Sequence, residues 1–152
     1  MICLNPTKYF ALLNIKRYMV NDMYKDLLIK KIDSKSAGVG VIGLGYVGLP
    51  LAAETAHAGF SVVGIDQDLD QVNCINRGFS HVRNDHLAVV VKSGRLRATT
   101  SFEAVLGVDI ILICVPTPLD KNRNPVTKHI EDAVAGSLPY LREGQLMILE
   151  ST

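Results

Sequence analysis

Hydrophobic positions along the chain alternate between short continuous runs and longer stretches with helical spacing. The runs predict strands at 39–43, 61–66, 96–99, 109–115 and 145–150. The helically spaced stretches predict helices at 24–34, 46–58, 69–77, 84–93, 102–106 and 127–142. From residue 39 onwards strands and helices alternate regularly, which is typical of a doubly wound parallel α/β sheet with right-handed crossovers.

Several element ends carry local signals. Pro50 falls in the opening turn of the helix that stops at Gly59, where a missing N–H costs little. Ser101 is a suitable N-cap for the helix at 102–106. The run 109–115 is almost wholly apolar, so we expect a parallel strand that is buried on both faces.

The composition fits one globular domain preceded by a short leader. The chain has 152 residues, of which 48% are hydrophobic and 20% charged, close to globular averages. We expect a poorly ordered leader over 1–22, a short amphipathic helix and linker over 23–37, and a single domain over 38–152. Met19 and Met23 both offer later starts.

The net charge of +1 hides a basic amino-terminal part, since residues 1–37 carry seven Lys/Arg against three Asp/Glu. These charges are scattered, so we interpret the segment as solvated and expect neither nucleic acid nor a membrane as a partner. No apolar run approaches the ~20 residues that span a bilayer. The run Phe10-Ala11-Leu12-Leu13 is too short for the core of a signal peptide.

The cysteines and histidines predict neither a disulfide framework nor a metal centre. Cys3, Cys74 and Cys114 have no framework spacing and fit a reducing cytoplasm. We interpret Cys114 as a small core residue and Cys74 as half-buried packing, because no histidine or cation is placed by sequence to activate either thiol. The four histidines lack metal-ligand spacing and are interpreted as surface or packing residues. They are His57, His81, His86 and His129.

A glycine-rich turn, Gly43-Leu44-Gly45-Tyr46-Val47-Gly48, lies between the first strand of the domain and the helix that follows it. In a G-x-G-x-x-G turn the first glycine permits the tight bend, and the second lets the backbone approach a pyrophosphate. The third, Gly48, lets the helix pack closely against the strand, while the helix N-terminus faces the phosphates. We therefore predict a dinucleotide-binding turn; the alternative is a structural turn with no ligand.

A carboxylate follows the second strand at the spacing expected for the residue that binds the adenosine ribose. Asp66 comes 23 residues after Gly43, against an expected separation of about 20. Its charge would repel a 2′-phosphate, and the following Gln67 and Asp68 supply no cation to hold one. NAD is therefore favoured over NADP, and the alternative is an exposed turn carboxylate.

Several segments are expected to meet beyond the carboxyl ends of the strands, where such sheets bind ligands. They are Gly43–Gly48, Asp66, Val115-Pro116-Thr117 and Glu150-Ser151-Thr152. Thr117 lies between two prolines, and the residues alone do not distinguish a strand-end threonine from a binding residue.

These motifs stand together in one chain, in the runs 43–52, 64–66, 114–119 and 149–152. As a set they resemble the NAD-binding domain of the UDP-glucose/GDP-mannose dehydrogenase family. The runs 93–100 and 120–125 are typical of the branch that acts on UDP-N-acetylhexosamines. The resemblance covers about residues 24–152. It implies a Rossmann-type doubly wound sheet, of which this chain would hold the first five strands.

The resemblance also implies roles for the residues at matching positions. Gly43 to Gly48 cradle the pyrophosphate and Asp66 holds the adenosine ribose. Val115, Pro116 and Thr117 line the cofactor near its ribose and phosphates. Thr152 matches a threonine near the nicotinamide, with a supporting catalytic role only. Five residues after the ribose acid the family often has Lys or Arg, whereas Gln71 here offers a neutral amide to the adenosine end.

Members of this family oxidise the C6 alcohol of a nucleotide sugar to a carboxylate with two NAD, through a cysteine thiolate in a glycine-rich segment. No such segment exists in this sequence. The resemblance therefore implies the NAD-binding portion of a cytoplasmic UDP-N-acetylhexosamine 6-dehydrogenase, without its catalytic domain and inactive alone. A nucleotide-sugar substrate and homo-oligomers are expected only for the complete enzyme. The alternative is a stand-alone NAD-binding module, such as a sensor or accessory subunit. A 3-hydroxyacid or 6-phosphogluconate-type dehydrogenase is a weaker third.

Overall fold

The computed structural model describes residues 22–82 and 84–150, in which helices and strands alternate. The helices are α1 (Asp22–Asp33), α2 (Gly48–His57), α3 (Leu69–Asn76), α4 (Leu87–Lys92) and α5 (Lys128–Ser137). The strands are β1 (Gly38–Ile42), β2 (Ser61–Ile65), β3 (Leu96–Thr99), β4 (Ile110–Ile113) and β5 (Leu146–Leu149). Short 3₁₀ helices span Phe102–Gly107 and Leu138–Tyr140. The predicted leader, apart from Asp22, lies outside the described residues.

The described strands form one parallel sheet in the order β3-β2-β1-β4-β5. The chain passes from β1 through β2 to β3, crosses back to β4 on the other side of β1, and continues to β5. Val41 pairs with Gly64 of β2 and with Leu112 of β4, so the three central strands end side by side. The predicted Rossmann-type sheet with a short N-terminal helix is therefore confirmed.

The predicted helix over 127–142 is wrong at its carboxyl end. The helix α5 ends at Ser137, and Leu138–Tyr140 form a 3₁₀ turn with Pro139 in its first positions. Proline has no N–H to donate and its ring clashes with the preceding turn, so the α-helical ladder stops here. The chain then becomes extended at Leu141 and leads into β5.

The predicted helix over 84–93 begins three residues later than expected. The side chain of Asn84 accepts a hydrogen bond from the backbone N–H of His86 at 2.9 Å, and this turn competes with helical hydrogen bonding. By contrast, Ser101 caps as predicted, because its hydroxyl accepts from the Glu103 N–H at 3.2 Å. The turn that it caps is a 3₁₀ helix.

Apolar side chains pack on both faces of the sheet around β1 and β2. The face covered by α2, α3 and α4 includes Val41, Leu49, Val62, Ile75 and Leu96. The face covered by α5 and the first 3₁₀ helix includes Ile42, Ile65, Val105, Ile111 and Ala133. The strands β1 and β2 are therefore packed on both faces, which fixes the residues at their carboxyl ends.

The strand β4 is buried well on one face only, which corrects the prediction for 109–115. Ile111 and Ile113 are buried, whereas Ile110 and Leu112 are half-buried. The half-buried pair faces an open apolar hollow of about 230 Å³. Its other lining residues are Ile32, Val39, Thr55, Phe60 and Ile148. A parallel strand can thus have a continuous apolar sequence and still be covered incompletely.

A nearly buried carboxylate ties α1 to the amino edge of the sheet. Asp109 accepts from Lys31 Nζ at 2.7 Å, from Arg142 Nη2 at 2.9 Å and from the Gly38 N–H at 3.0 Å. Burial raises the pKa of this carboxyl, but the hydrogen bonds from Lys31, Arg142 and Gly38 outweigh burial and hold the pKa below its ordinary value. Asp109 therefore links α1 to the starts of β1 and β4.

Candidate functional site

The glycine turn begins where β1 ends, and its first glycine has a conformation that other residues rarely adopt. Gly43 has a φ of +89°, and its N–H donates to the Ile65 carbonyl at 2.8 Å. A Cβ on Gly43 would lie 2.9 Å from the carbonyl oxygen of Cys114. Both constraints favour glycine, in agreement with the tight bend expected here.

Gly48 lies where the start of α2 passes closest to the end of β1. A Cβ on Gly48 would lie 1.8 Å from the Gly43 carbonyl oxygen and 3.0 Å from the Cβ of Cys114. No side chain fits into this gap. The helix can approach the sheet at this distance only because residue 48 is glycine, as expected of the third glycine in such a turn.

Gly45 differs from the other two glycines because its free face is open. Nothing lies within 4 Å of a Cβ built on it, so packing within the protein does not require glycine here. Beside it, α2 begins after Val47, which provides no side-chain cap. The first α-helical hydrogen bond runs from the Leu49 N–H to the Gly45 carbonyl at 3.1 Å. The uncapped N–H groups before Leu49 suit an anion such as a phosphate.

Asp66 follows β2 and connects this strand to the glycine turn. One carboxylate oxygen accepts from the Leu44 N–H at 2.7 Å, and the other accepts from the Asp68 N–H at 3.0 Å. An ionised carboxylate has about four acceptor sites. Both contacts therefore leave Asp66, which is half-buried at the edge of the sheet, with capacity to accept from ribose hydroxyls.

The helix α3 starts shortly after Asp66 and brings Gln71 to the same turn. The Asp68 side chain caps α3 by accepting from the N–H groups of Asp70 and Gln71 at 2.9 and 3.1 Å. The side-chain amide of Gln71 then donates from Nε2 to the Leu44 carbonyl. The expected contact between this amide and the adenosine end of a cofactor stays a prediction, because here its donor is directed at the turn.

A cavity of about 200 Å³ opens at the carboxyl edge of the sheet. Its lining consists of Ile42, Gly43, Ile65, Asp66, Gln67, Thr100, Phe102, Val115, Pro116, His129, Asp132 and Ala133. Buried apolar side chains from β1, β2 and α5 contribute to its wall, while carboxylates and an imidazole supply polar groups. A mostly apolar concavity with a few polar groups is typical of a small-molecule site.

Several of the predicted site residues meet at this cavity. Those that line it are Gly43, Asp66, Val115 and Pro116. On the adjoining glycine turn, Tyr46 is 80% exposed and Val47 is 49% exposed. Thr117 is half-buried and follows Pro116 directly, whereas Thr152 lies outside the described residues. The strand ends expected to converge are thus seen together, except for the segment that contains Thr152.

Several lining side chains were missed by the sequence interpretation, among them Phe102, His129 and Asp132. Phe102 follows the cap residue Ser101, while His129 and Asp132 lie one turn apart on α5. His129 is indeed exposed, but its exposed surface lines the cavity. The available signal was its i, i+3 spacing with Asp132, since residues at this spacing share one face of a helix.

The two described thiols lie in very different surroundings. Burial, with a smaller contribution from the nearby Glu150 carboxylate, raises the pKa of the Cys114 thiol to about 11. Cys114 is therefore a protonated packing residue near neutral pH, in agreement with its interpretation as a core residue. Cys74 is exposed, so its interpretation as half-buried packing is wrong. The buried residues of α3 are Val72 and Ile75 instead.

Aromatic contacts account for three of the histidines. The rings of His57 and His86 stack with their centroids 3.8 Å apart, and the ring of His81 meets Tyr46 edge-on at 5.9 Å.

Within residues 22–82 and 84–150, no group of three or more His, Cys, Asp or Glu side chains is arranged to hold a metal ion. No helix in those same ranges is long and apolar enough to cross a membrane.

Comparison with known proteins gives a consistent set of relatives. Residues 37–152 match the model for the NAD binding domain of the UDP-glucose/GDP-mannose dehydrogenase family. The chain is 45% identical over 121 residues to a UDP-N-acetyl-D-mannosamine dehydrogenase of Escherichia coli (strain K12), covering 76% of this chain and 28% of that protein. It is 39% identical over 127 residues to an NDP-N-acetyl-D-galactosaminuronic acid dehydrogenase of Ralstonia nicotianae, covering 81% and 29%.

A solved structure shows the same arrangement. The UDP-D-ManNAc dehydrogenase from Pyrococcus horikoshii matches with a TM-score of 0.71 and 34% identity, over 76% of this chain and 28% of that chain. The present chain therefore spans less than a third of the length of the relatives that it matches.

Proposed function

Since this chain belongs to the UDP-glucose/GDP-mannose dehydrogenase family, in its NAD-binding domain, we propose that the crevice at the carboxyl edge of its sheet binds NAD. The observation that carries this proposal is the open face of Gly45 beside the uncapped N-terminus of α2. A pyrophosphate in that space would accept hydrogen bonds from the N–H groups of the turn. Asp66, at the end of the neighbouring strand, would then accept from the adenosine ribose hydroxyls.

The proposed site distributes its other residues along the cofactor. Tyr46 and Val47 contribute backbone N–H groups on the pyrophosphate side. Val115, Pro116 and Thr117 lie beyond the end of β4, on the side of the nicotinamide ribose, and Thr152 is proposed to lie near the nicotinamide. This assignment is supported by the shared lining of one cavity by Val115 and Pro116 with Gly43 and Asp66.

We propose that NAD is preferred over NADP. A 2′-phosphate would lie against the Asp66 carboxylate, and the next residues, Gln67 and Asp68, carry no positive charge. Gln71, where the family often has a cation, is neutral and donates to the Leu44 carbonyl. Repulsion from the 2′-phosphate is therefore not offset by these neighbours of Asp66.

We further propose that, within a polypeptide of the length of its relatives, this domain serves a cytoplasmic 6-dehydrogenase for a UDP-N-acetylhexosamine. Two relatives are described as dehydrogenases of N-acetylated hexosamine derivatives, which supports this substrate class over a simple UDP-hexose. Bound NAD supplies the hydride acceptor. The part of the described residues is to hold and orient the cofactor, so that the sugar approaches the nicotinamide from beyond β4 and β5.

The 152 residues alone are proposed to bind NAD without oxidising a sugar. Oxidation to a carboxylate through a covalent intermediate needs an activated thiolate. The Cys114 thiol has its pKa raised to about 11, and Cys74 is exposed on α3, away from the cavity lining. The thiols that the structure describes are thus unsuited to that step.

Titration calorimetry with NAD and NADP tests the proposed cofactor site. We expect saturable binding of NAD and weaker binding of NADP; equal or tighter NADP binding would contradict the preference. The purified chain is then incubated with NAD and a panel of nucleotide sugars, and NADH formation is followed by absorbance. Sustained, protein-dependent turnover would show that the chain is itself a working enzyme. NAD binding without turnover is the result expected for this chain, and it is also expected for a stand-alone NAD-binding module.

A further inference from the structure

Both backbone groups of one residue in the glycine turn are held by side chains from the segment that follows β2, one in the connection to α3 and one in the first turn of α3. Leu44 donates its N–H to Asp66 at 2.7 Å, and its carbonyl accepts from Nε2 of Gln71. The Leu44 side chain is fully buried against Gly64, where a Cβ would lie 2.7 Å from it. Because a carbonyl can only accept, the Gln71 amide must present its NH₂ group to it.

Gln71 occupies a position at which a local role is expected. It is the third residue of α3 after the N-cap Asp68, and a glutamine there commonly reaches back to the N-cap N–H in a capping box. In this chain the Asp68 N–H donates to Asp66 instead, at 3.0 Å. The Gln71 side chain is therefore not needed to cap the N-terminus of α3. It reaches instead the Leu44 carbonyl, 27 residues earlier in the sequence.

The direction of the Leu44 carbonyl determines the direction of the N–H that follows it. In a planar trans peptide the C=O and the next N–H point in opposite directions. A Leu44 carbonyl held towards α3 thus turns the Gly45 N–H away from α3. At the same residue nothing lies within 4 Å of a built Cβ, so the turn leaves room for a ligand beside this peptide.

We propose that Gln71 is a positioning residue that directs the Gly45 N–H at the cofactor pyrophosphate, and that it does not contact the cofactor itself. The inference rests on the NAD site proposed above. It also gives Gln71 a role different from the adenosine contact expected of a side chain at this position. The affinity for ligands that contain a pyrophosphate should therefore depend on Gln71. The affinity for adenosine, which has no pyrophosphate, should not depend on it.

Two variants separate the hydrogen-bond donor from the shape of the side chain. Gln71→Glu keeps the length but has no N–H donor when ionised, and Gln71→Asn keeps the amide but is one methylene shorter. The matched control is Asn73→Ala, at an exposed position of the same helix. Calorimetry measures the affinities for NAD and ADP-ribose, and an NMR titration measures the affinity for adenosine. Urea unfolding and the Gly45 amide resonance are recorded for each cofactor-free protein.

We expect each Gln71 variant to lower the affinity for NAD and the affinity for ADP-ribose equally, by a factor of about ten. This is the effect of losing one hydrogen bond. Adenosine binding should remain unchanged. The Gly45 amide resonance should shift in both variants and stay in place in Asn73→Ala, which a general loss of stability would not produce. An equal loss of adenosine affinity would show that Gln71 binds the ribose directly, and unchanged NAD affinity in both variants would show that the turn holds itself; either result overturns the proposal. If the unsubstituted chain does not bind NAD, the cofactor site itself is refuted and the role of Gln71 with it.

Discussion

Replacement of Gly45 by valine tests the cofactor site without disturbing the fold. Nothing lies within 4 Å of a Cβ at this position, and Gly45 is not among the glycines with a positive φ. The valine side chain therefore enters open space on an unstrained backbone. We expect the free energy of unfolding to change by less than about 0.5 kcal/mol, as for other substitutions on an open surface. The same space is proposed to hold the pyrophosphate, so the side chain and the cofactor exclude each other.

The expected loss of affinity follows from the hydrogen bonds that the pyrophosphate would make with the turn. A hydrogen bond to a charged group contributes about 1.5–3 kcal/mol. A displaced pyrophosphate loses at least two such bonds at the uncapped end of α2. The loss is then about 3 kcal/mol or more, roughly 100-fold in the dissociation constant. Calorimetric titration with NAD measures this loss, and circular dichroism with urea unfolding reports on the fold.

The matched control is Gly48→Ala, three residues along the same turn. Its Cβ would lie 1.8 Å from a backbone oxygen of Gly43, a contact that side-chain movement cannot relieve. Overpacking of this kind costs about 1–3 kcal/mol or more in unfolding free energy. The Gly45→Val variant should therefore lose NAD affinity and keep its free energy of unfolding, whereas Gly48→Ala should lose stability. An intact Gly45→Val protein that binds NAD with unchanged affinity would refute the assignment of this turn to the pyrophosphate.

Three further outcomes can be measured on the same protein. Asp66→Asn removes the charge and one of the two side-chain oxygens that accept from backbone N–H groups. NAD affinity should therefore fall by about 1–3 kcal/mol, and calorimetry should show a smaller preference for NAD over NADP. Asp109→Asn should lower the free energy of urea unfolding by about 1.5 kcal/mol at neutral pH. Because the pKa of Asp109 is lowered in the folded protein, this stabilisation is present above the ordinary pKa and is lost as the pH falls through the folded value. Peptide mapping after iodoacetamide at neutral pH should find Cys74 modified and Cys114 protected, since the pKa of Cys114 is about 11.

The strands, the glycine turn and the position of Asp66 beside it could be predicted because their signals are local. Gly43 needs a left-handed backbone and Gly48 needs the absence of a side chain, and both needs arise within one strand–turn–helix unit. Asp66 directly follows β2, the next strand along the chain. Its position beside the turn follows from the parallel register of β1 and β2. A few residues of sequence therefore contained enough information to place the centre of the candidate site.

Element ends were harder to predict where a side chain competes with the backbone. The amide of Asn84 binds the His86 N–H and delays α4, and Pro139 stops the α-helical ladder after α5. Hydrophobic spacing continues through both places, so the pattern predicts longer helices than the hydrogen bonds permit.

Contacts between distant segments are the part that the linear sequence does not contain. The residues 68–71 have the form of a capping box, yet Asp66 takes the N-cap N–H and Gln71 is free to reach the glycine turn. Asp109 begins a run that indicates a buried strand, but its partners, Lys31 and Arg142, lie 78 and 33 residues away. Gln71 reaches a distant partner because Asp66 already satisfies the local one, the Asp68 N–H. The partners of Asp109 come from segments far away in the sequence, so they become visible only when the strands are assembled. A glutamine that local rules assign to the N-terminus of a helix is therefore the residue through which α3 contacts the glycine turn.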